Sequence, residues 1–494
     1  MKHHRIASTS TILLVMLFAS PAFAGGLMTT LNVVNNVSHA RISLAAVRVS
    51  SSMVLPNTVP YCQHGALICY TPQDIRKAYD YPSYLDGAGQ TIVLVDAFGS
   101  PSAANDLKTF DQLFGLPAPA SFTVVCPTGG CPTLDLSGLT SQSNDEIGWT
   151  QEIALDTQWA HAMAPAANIV LAVSSSDDNF AINQALQNAV NNYPGSIISQ
   201  SFGTPEGILN LTRGSADQAF LRQAEQIYRR AADQGITVFA SAGDWGADFS
   251  AIVRGLNLAN AGYPASSPWV TAVGGTQGNP YYYQSAIPLC TTSNCSTGLV
   301  EFDNSTGTCT RYTGSGQQPF CTPTGYGGEQ VWNEPQFAVA TGGAPSLLFG
   351  RPSYQAGLHL SSRTTPDVSY DGAISGGVLG VWSAVPFFAG VYVFGGTSAG
   401  SPQWSGIVAL ANQLALAQNG EPVGFINPVL YRIGQNQRAY MRDFHDITMG
   451  NNLVSRGTAG FSAHTGYDDA TGWGTPNVAS LVPRLVQASQ NGQL

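Results

Sequence analysis

Short apolar runs alternate along the chain with longer segments of helical character. Residues 91–95 and 236–241 are rich in apolar and β-branched side chains, which is typical of strands buried on both faces, and residues 199–203 predict a further strand. Residues 145–163 and the apolar run at 404–414 are long enough to predict helices. Polar side chains that could carry chemistry stand at the ends of these elements or inside them.

A glycine-rich turn lies directly before the helix predicted from residue 404. It reads Gly-Gly-Thr-Ser-Ala-Gly-Ser-Pro and places Ser398 ahead of a proline that suits a first helical turn. Such a turn would present the serine hydroxyl to a substrate, together with the N-terminal amide groups of the helix. The same residues also fit an ordinary helix N-cap, so this motif alone does not separate a nucleophile from a cap.

The helix predicted at residues 145–163 carries two acids on one face. Glu152 and Asp156 are four residues apart, and apolar side chains share that face. Carboxylates in an apolar stripe lose solvation, and this costs free energy. Such a pair is therefore expected only where the acids have partners or a function. A solvated acidic face without a role is the alternative. His161 faces the other way, because nine residues separate it from Glu152.

A third acid, Asp244, follows the strand predicted at residues 236–241 in a tight turn. Together with Ser398 and the acid pair, it resembles the sedolisins, the serine-carboxyl peptidases of the subtilisin-like superfamily. In that family, carboxylic acids stand where subtilisins have histidine and asparagine. Three further segments extend the resemblance over most of the chain: residues 70–79, 263–276 and 363–369.

The resemblance implies a subtilisin-like α/β fold, with a mostly parallel central sheet, helices on both faces and a single large catalytic domain. It also implies that Ser398 is the nucleophile and Glu152 its general base. Asp156 would orient Glu152 and share its proton, and Asp244 would supply an oxyanion-hole donor. Asp96 stands where subtilisins have their catalytic aspartate, and it either extends the acid network or is an ordinary turn residue.

These roles require an acidic medium. A carboxylate with a pKa near ~4.3 is a poor base for serine at neutral pH, and two close carboxyl groups hold one proton between them over part of the acid range. Asp244 can donate a hydrogen bond only while it is protonated. The expected function is therefore an acid-acting serine endopeptidase whose partners are protein or peptide substrates.

Two alternatives to endopeptidase activity stay open at this point. Tripeptidyl-peptidases occur in the same family, and residues 341–346 depart from the Ser-Gly-Gly-Gly loop that lines the cleft in relatives. An inactive sedolisin-like binding or surface protein is the second alternative.

The resemblance also implies one structural calcium ion near the C-terminus. Its ligands would be the side chains of two aspartates and three backbone carbonyls, namely Asp446, Asp468, Ile447, His464 and Gly466. Hard oxygen donors of this kind suit calcium. His464 stands where relatives have glycine, which reduces backbone freedom. The alternative is a pair of Asp- and Gly-rich turns without an ion.

The first residues indicate export. Residues 1–24 have a basic start, an apolar centre and an Ala-Phe-Ala cleavage site, which predicts a signal peptide and a secreted or periplasmic protein. Residues 25–60 form a short N-terminal segment without a full prodomain. Residues 61–490 form the peptidase domain, with a cysteine-containing, loop-rich surface insertion at about 277–330.

The eight cysteines fall into four close pairs, and an exported protein with an even number favours disulfides over a zinc site. Pairing by proximity would join 62 to 69, 126 to 131, 290 to 295 and 309 to 321.

Charge composition limits the partners. Twenty Lys and Arg residues against thirty Asp and Glu residues give a net charge of −10, which argues against nucleic acid or an anionic membrane surface as a partner. After residue 24 no apolar stretch is long enough to span a bilayer, and we expect a monomer. Only 10% of the residues are charged, so acid adds little repulsion between them.

Overall fold

The computed structural model describes residues 39–42, 44–50, 69–212, 215–248, 258–278, 286–291, 294–299, 301–303, 308–311, 326–454, 457 and 459–491. The predicted signal peptide lies outside the described residues.

The strands are β1 (Arg41–Ile42), β2 (Ala45–Ser50), β3 (Cys69–Tyr70), β4 (Thr91–Ala97), β5 (Ser121–Val125), β6 (Asn168–Ser174), β7 (Ile197–Gln200), β8 (Phe202–Pro205), β9 (Thr237–Ser241), β10 (Gly262–Tyr263), β11 (Thr271–Gln277), β12 (Ala286–Thr291), β13 (Asn294–Leu299), β14 (Glu301–Asp303), β15 (Thr308–Arg311), β16 (Gln330–Val331), β17 (Asn333–Glu334), β18 (Val339–Ala340), β19 (Pro345–Gly350), β20 (Ser362–Thr364), β21 (Val368–Asp371), β22 (Gly377–Trp382), β23 (Gly390–Gly395), β24 (Phe444–His445) and β25 (Thr475–Pro476).

The helices are α1 (Pro72–Ala78), α2 (Ala103–Phe114), α3 (Ser141–Met163), α4 (Asn179–Asn192), α5 (Glu206–Thr212), α6 (Ser215–Asp233), α7 (Gly400–Ala417), α8 (Asn427–Gln435), α9 (Gln437–Asp443) and α10 (Val478–Asn491). Single 3₁₀ turns lie at Ser353–Gln355, Pro386–Phe388 and Thr397–Ala399.

An eight-stranded sheet forms the centre of the molecule. Its strands follow the order β16-β11-β9-β7-β4-β6-β5, and β21 also pairs with β11. Every pairing is parallel except that of β16 with β11. The mostly parallel sheet expected from the sequence is therefore confirmed.

Helices cover both faces of this sheet. Alternate residues of β4 enter two different apolar cores, Ile92 and Leu94 on one side and Val93 and Val95 on the other. Residues of α2, α3, α7 and α10 contribute to the first core, and residues of α4 and α6 to the second. Two-sided burial explains why these strands read as continuous apolar runs.

The prediction of one strand at residues 199–203 is wrong in one respect, because the structure has two strands there. β7 ends at Gln200 within the central sheet, and β8 begins at Phe202 in a separate three-stranded sheet ordered β1-β8-β10. Ser201 lies between them, at the point where the chain leaves the central sheet. This break places Ser201 next to Ser398.

The N-terminal segment is integrated into the fold. β1 pairs with β8, and β2 pairs antiparallel with β23 in a four-stranded sheet ordered β2-β23-β22-β3. The insertion predicted as loop-rich contains two hairpins in its described residues, β12 with β13 and β14 with β15. Its boundaries at 277–330 stay a prediction.

Candidate active site

Ser398 lies where the sequence places it, between a strand and a helix. β23 ends at Gly395, the 3₁₀ turn Thr397–Ala399 carries the serine, and α7 begins at Gly400. Gly396 has a φ of 117°, which favours glycine and turns the chain sharply out of the strand. Ser398 is therefore held at the N-terminal end of a long buried helix, where backbone N–H groups favour negative charge.

α3 supplies the two acids and differs from the predicted helix. It begins at Ser141 rather than residue 145, because Thr140 forms a capping box with Ser143. From Glu146 to Met163 every residue is buried, so the helix has no solvated face. Burial on all sides rules out the alternative in which Glu152 and Asp156 form a solvated acidic surface.

Ser398, Glu152 and Asp156 meet in a completely buried cluster. All three are 0% exposed. The Ser398 hydroxyl donates to the backbone oxygen of Ser201 at 3.3 Å, and the Ser201 hydroxyl donates to Asp156 Oδ1 at 2.8 Å. Ser398 is also close enough to Glu152 to oppose part of the rise in the pKa of that carboxyl group.

Several carboxyl oxygens of this cluster have no hydrogen-bond partner among the described residues. They are both oxygens of Glu152, Oδ2 of Asp156 and both oxygens of Asp96. Buried polar groups are normally paired, and unpaired ones are costly. Unpaired oxygens in a cluster of acids therefore indicate groups whose partners are a shared proton or a reacting molecule.

Burial dominates the protonation of these acids. It raises the pKa of Glu152 well above its ordinary value, and the charge of Asp156 raises it further. Burial also raises the pKa of Asp156, with Asp96 as the second cause. The pKa of Asp96 is raised to about 7 by burial. Close carboxyl groups in a low-dielectric site cannot all ionise together, so they share protons.

Asp96 is part of this network rather than an exposed turn residue. β4 extends to Ala97, two residues beyond the predicted strand, and Asp96 lies within it opposite Val173 of β6. Its side chain is 0% exposed, and its charge acts on both α3 acids. Of the two alternatives for Asp96, the structure supports the network.

Asp244 approaches the nucleophile from β9. Gly243, with a φ of 106°, turns the chain so that Asp244 meets the Ser398 turn. Asp244 Oδ1 accepts hydrogen bonds from the Thr397 backbone N–H at 2.8 Å and from the Thr397 hydroxyl at 2.9 Å. Burial raises the pKa of Asp244 to about 7. Since both donors address Oδ1, a proton on this carboxyl group is placed on Oδ2, which can then donate.

His161 does not belong to the site. Its ring Nε2 lies 2.8 Å from the Pro117 oxygen and 3.1 Å from Asp111 Oδ1, on the α2 side of α3. The prediction that His161 faces away from the acid pair is confirmed.

Two polar neighbours of the nucleophile were not predicted. Ser201 links Ser398 to Asp156, and Thr397 orients Asp244. Thr397 is adjacent to the serine in the sequence, which is a usable signal. Ser201 carries no signal of its own, because its role depends on the break between β7 and β8.

The N-terminal segment passes beside the nucleophile. Arg41 and Ile42 pair antiparallel with Gly203 and Phe202, and Ala45 pairs with Gly395. Phe202 directly follows Ser201, and Gly395 is three residues before Ser398. Ile42 and Ala45 therefore both lie close to the turn that carries Ser398.

The proposed calcium ligands come from two neighbouring loops. β24 pairs with β25, which brings the loop after β24 close to the loop before β25. Asp446 Oδ1 accepts from the Gly466 backbone N–H at 3.1 Å, and Asp468 Oδ2 accepts from that of His464 at 3.2 Å. His464 has a negative φ, so histidine in place of glycine causes no backbone strain.

This donor set fits a hard cation in its chemistry. Burial raises the pKa of the Tyr440 hydroxyl most, followed by its hydrogen bond to Asp446 Oδ1 at 2.7 Å and by the charges of Asp446 and Asp468. The described residues contain no group of three or more His, Cys, Asp or Glu side chains that could hold a metal. An ion here would therefore need the backbone carbonyls as well.

The cysteines agree with the expected pairs where they can be judged. Cys126 and Cys131 form a disulfide, and Cys290 and Cys295 lie opposite each other in the β12–β13 hairpin. Cys69 is disulfide-bonded. Cys62 and Cys321 lie outside the described residues, and for Cys290 and Cys295 only the backbone pairing is described, so three of the four pairings stay predictions.

Across the described residues, no helix has the length and apolar character needed to cross a membrane.

The chain is similar to several known proteins. The curated relatives include kumamolisin from Bacillus sp. (strain MN-32), which is 29% identical over 87% of this chain and 66% of its own length. Sedolisin from Pseudomonas sp. (strain 101) is 28% identical over 83% of the chain and 60% of its own length. Tripeptidyl-peptidase 1 from Canis lupus familiaris is 30% identical over 55% of the chain and 41% of its own length. The chain thus spans two thirds or less of the length of these relatives.

A solved structure of Pseudomonas sedolisin, described as a serine-carboxyl proteinase complexed with two molecules of pseudo-iodotyrostatin, shares the fold. It is 23% identical, has a TM-score of 0.64, and matches 86% of this chain and 100% of its own. The model of the subtilase family matches residues 142–423, more than half of the chain and a range that includes Glu152, Asp244 and Ser398. The chain therefore belongs to the subtilase family, and its match to sedolisin confirms the resemblance that its motifs indicated.

Proposed function

We propose that this protein is an acid-acting serine-carboxyl endopeptidase that hydrolyses peptide bonds in proteins or peptides. The buried cluster of Ser398, Glu152 and Asp156, whose carboxyl oxygens lack other partners, is the observation that carries the proposal. Such a cluster is costly to a fold that makes no use of it. The complete set of reactive groups also argues against an inactive binding protein.

Each residue has a step in the reaction. Ser398 Oγ attacks the carbonyl carbon of the scissile bond, and its proton passes to the Glu152 carboxylate. Glu152 later returns the proton to the leaving amine, and a water repeats the sequence on the acyl-enzyme. Asp156, held by the Ser201 hydroxyl, shares a proton with Glu152 and so adjusts its basicity.

The oxyanion forms next to Asp244. The Thr397 hydrogen bonds occupy Oδ1, which leaves a protonated Oδ2 to donate to the developing negative charge. The backbone N–H of Ser398 is the second donor. Because the pKa of Asp244 is raised to about 7, the donor is present in acid and is lost as the pH rises through neutrality.

The endopeptidase mode is supported by the pairing of β1 with the edge of β8. β1 pairs with β8 beside Ser201, and its neighbour His39 forms a β-bridge with Asp178 farther out. The β8 edge therefore has room for four residues of extended chain, 39–42, whereas a tripeptidyl-peptidase needs a binding site closed after three residues. A substrate can pair with β8 only after β1 has left it.

We also propose one structural calcium ion held by Asp446, Asp468 and the carbonyls of Ile447, His464 and Gly466. It would join the loops that follow β24 and precede β25. The ion would supply stability and no step of the reaction. We also propose that the protein is exported through the predicted signal peptide. Its proposed state is monomeric.

Labelling at acidic pH tests the proposal directly. A peptide aldehyde should add to Ser398 in the purified protein at about pH 4 and fail to add in Ser398→Ala, and peptide hydrolysis should disappear with it. Hydrolysis that persists in a folded Ser398→Ala protein would contradict the assignment. Mapping the ends of products from one denatured protein should show internal cuts, whereas successive release of tripeptides would indicate the other mode.

A further inference from the structure

β1 lies along the edge of β8 in the manner of an extended peptide. It adds an antiparallel strand to β8, which is a common way for a sheet edge to bind a peptide. Ile42 packs against α3 one turn before Glu152, since a Cβ on Gly148 would lie 3.0 Å from Ile42 Cδ1. The chain runs from residue 39 toward the nucleophile, so residues 39–42 stand where the N-terminal side of a substrate would lie.

Side chains of β1 and its neighbour alternate between two environments. Ala40 is 3% exposed and enters an apolar core. His39 and Arg41 are two residues apart, so they share one side of the strand, opposite to that of Ala40. His39 Nδ1 lies 2.9 Å from Asp177 Oδ1, and the Ala40 backbone N–H donates to the Asp177 backbone oxygen at 2.9 Å.

Three carboxylates face these two cations: Asp145 from α3, and Asp177 and Asp178 from the loop before α4. Asp177 and then Asp178 raise the pKa of His39, while burial and Arg41 lower it. Arg41 and His39 both lower the pKa of Asp145, which burial, Asp177 and Glu146 raise.

The remaining acid nearby is already satisfied. Glu146 accepts hydrogen bonds from the Asp135 backbone N–H and from Gln142 Nε2 at 2.9 Å. Asp178 also keeps partners of its own, because its Oδ1 accepts from the Phe180 and Ala181 backbone N–H groups at the start of α4. Departure of β1 would leave Asp145 and Asp177 without His39 and Arg41. The geometry points to an acidic subsite, formed by Asp145, Asp177 and Asp178, that selects substrates with basic side chains at the two positions occupied by His39 and Arg41. This inference rests on the proposed function and names its substrate class.

The preference should depend on pH in a definite direction. A carboxylate attracts a cation only when ionised, so the part of the preference that Asp145 supplies is lost as the pH falls through the pKa of that group, which partial burial raises. The basic residues of the substrate stay charged throughout the acid range.

Cleavage of matched peptides measures the preference. The first peptide carries residues 39–47 of this chain between a fluorophore and a quencher, and the second carries His39→Gln and Arg41→Gln. We expect kcat/KM to favour the basic peptide by about threefold to tenfold per charge pair near pH 5 and by much less near pH 3. Asp145→Asn with Asp177→Asn should bring the ratio close to one, whereas Asp233→Asn, an exposed acid at the end of α6, should leave it unchanged. An equal ratio in the wild type and the double variant would overturn the inference.

Hydrogen exchange tests the same subsite without any turnover. In full-length Ser398→Ala protein, Asp145→Asn with Asp177→Asn should accelerate amide exchange in residues 39–42 by about threefold to tenfold, and Asp233→Asn should not. Unchanged exchange would show that the acids do not hold the strand. If the wild type showed no hydrolysis but exchange were accelerated in the double variant, the proposed peptidase function would be rejected. The interaction of the acids with residues 39–42 would still stand.

Discussion

The molecule contains two kinds of buried carboxyl group, and their surroundings differ sharply. Glu152 in α3 has no hydrogen-bond partner at either oxygen among the described residues. Glu334 is also buried, but it accepts from the Ile374 backbone N–H at 2.6 Å, from the Ser375 backbone N–H at 2.9 Å and from Trp332 Nε1 at 2.8 Å. Burial raises the pKa of both groups, so the pKa alone does not separate them.

Glu329 belongs with Glu334. Its oxygens accept from the hydroxyl groups of Tyr79, Thr276 and Thr475, each at 2.6 Å. A saturated buried carboxyl group joins segments that are distant in the sequence, whereas an unsaturated one next to a serine is available for proton transfer. Asp371 is intermediate, since one oxygen accepts from the Ala373 backbone N–H and the other has no partner in the described part of the chain. The lesson is that satisfaction of hydrogen bonds, and not burial, marks the reactive acids.

Exchanging one acid of each kind for its amide gives the largest expected contrast. Glu152→Gln should lower kcat/KM by at least ~10³-fold with little change in stability, because an amide cannot accept the serine proton. Glu334→Gln should lower the free energy of unfolding by about 1–3 kcal/mol, because its amide nitrogen would face a backbone donor, while the folded fraction stays active. Enzyme kinetics and urea unfolding of both variants decide the matter, and a Glu152→Gln protein with substantial turnover would show that the base is wrongly assigned.

Asp244 should combine the two behaviours, since one oxygen is satisfied and the other is free for the oxyanion. Asp244→Ala should reduce kcat by about 10²–10³-fold. Asp244→Asn keeps a donor at every pH, so it should retain more activity and lose it less steeply above pH 6, until deprotonation of the Glu152–Asp156 pair takes over. The measurement is kcat/KM against pH for the three proteins, and equal activity of wild type and Asp244→Ala in acid would remove Asp244 from the mechanism.

The C-terminal aspartates offer a third case, in which the proposed partner is an ion. Asp468→Asn keeps the oxygen that accepts from Thr471 N at 2.8 Å and removes one charge. If calcium binds there, the variant and strong chelation of the wild type should each lower the melting temperature by several degrees, because an ion bound only by the folded state stabilises it. Asp233→Asn serves as the control. A wild type that melts at the same temperature with and without chelator, and contains no calcium by elemental analysis, would contradict the site.

The smallest expected effect concerns stability against pH. The pKa values of Asp96, Asp244 and Glu225 are each raised to about 7, chiefly by burial. Their contribution to stability is fully present below the unfolded pKa near ~4 and is lost as the pH rises through about 7. The melting temperature should therefore fall between these pH values. Glu225→Gln should flatten the fall by a few degrees, since it removes one titrating group outside the active site, and an identical slope would contradict this account.

Local motifs were sufficient to select residues that the fold brings together. Ser398, Glu152, Asp156 and Asp244 each lie in a short segment whose residue types and spacing resemble the family, and the structure brings them together at one place. The mostly parallel sheet with helices on both faces was predictable for the same reason, because a strand buried on both sides must be apolar at every position. The bounds of α3 and β4 and the break at Ser201 were not predicted correctly, since they depend on caps and on neighbouring strands.

The sequence by itself determined which groups can donate, accept and attack, and at which strand and helix ends they stand. Only the tertiary structure decided which acids remain unpaired, that Asp96 joins them from β4, and that Ser201 connects Ser398 to Asp156. It also placed residues 39–42 against β8 and the three carboxylates of the acidic subsite. The physical reason is that these properties arise from contacts between residues far apart in the chain. Burial and hydrogen-bond satisfaction are set by what packs against a side chain, which no local pattern of residues records.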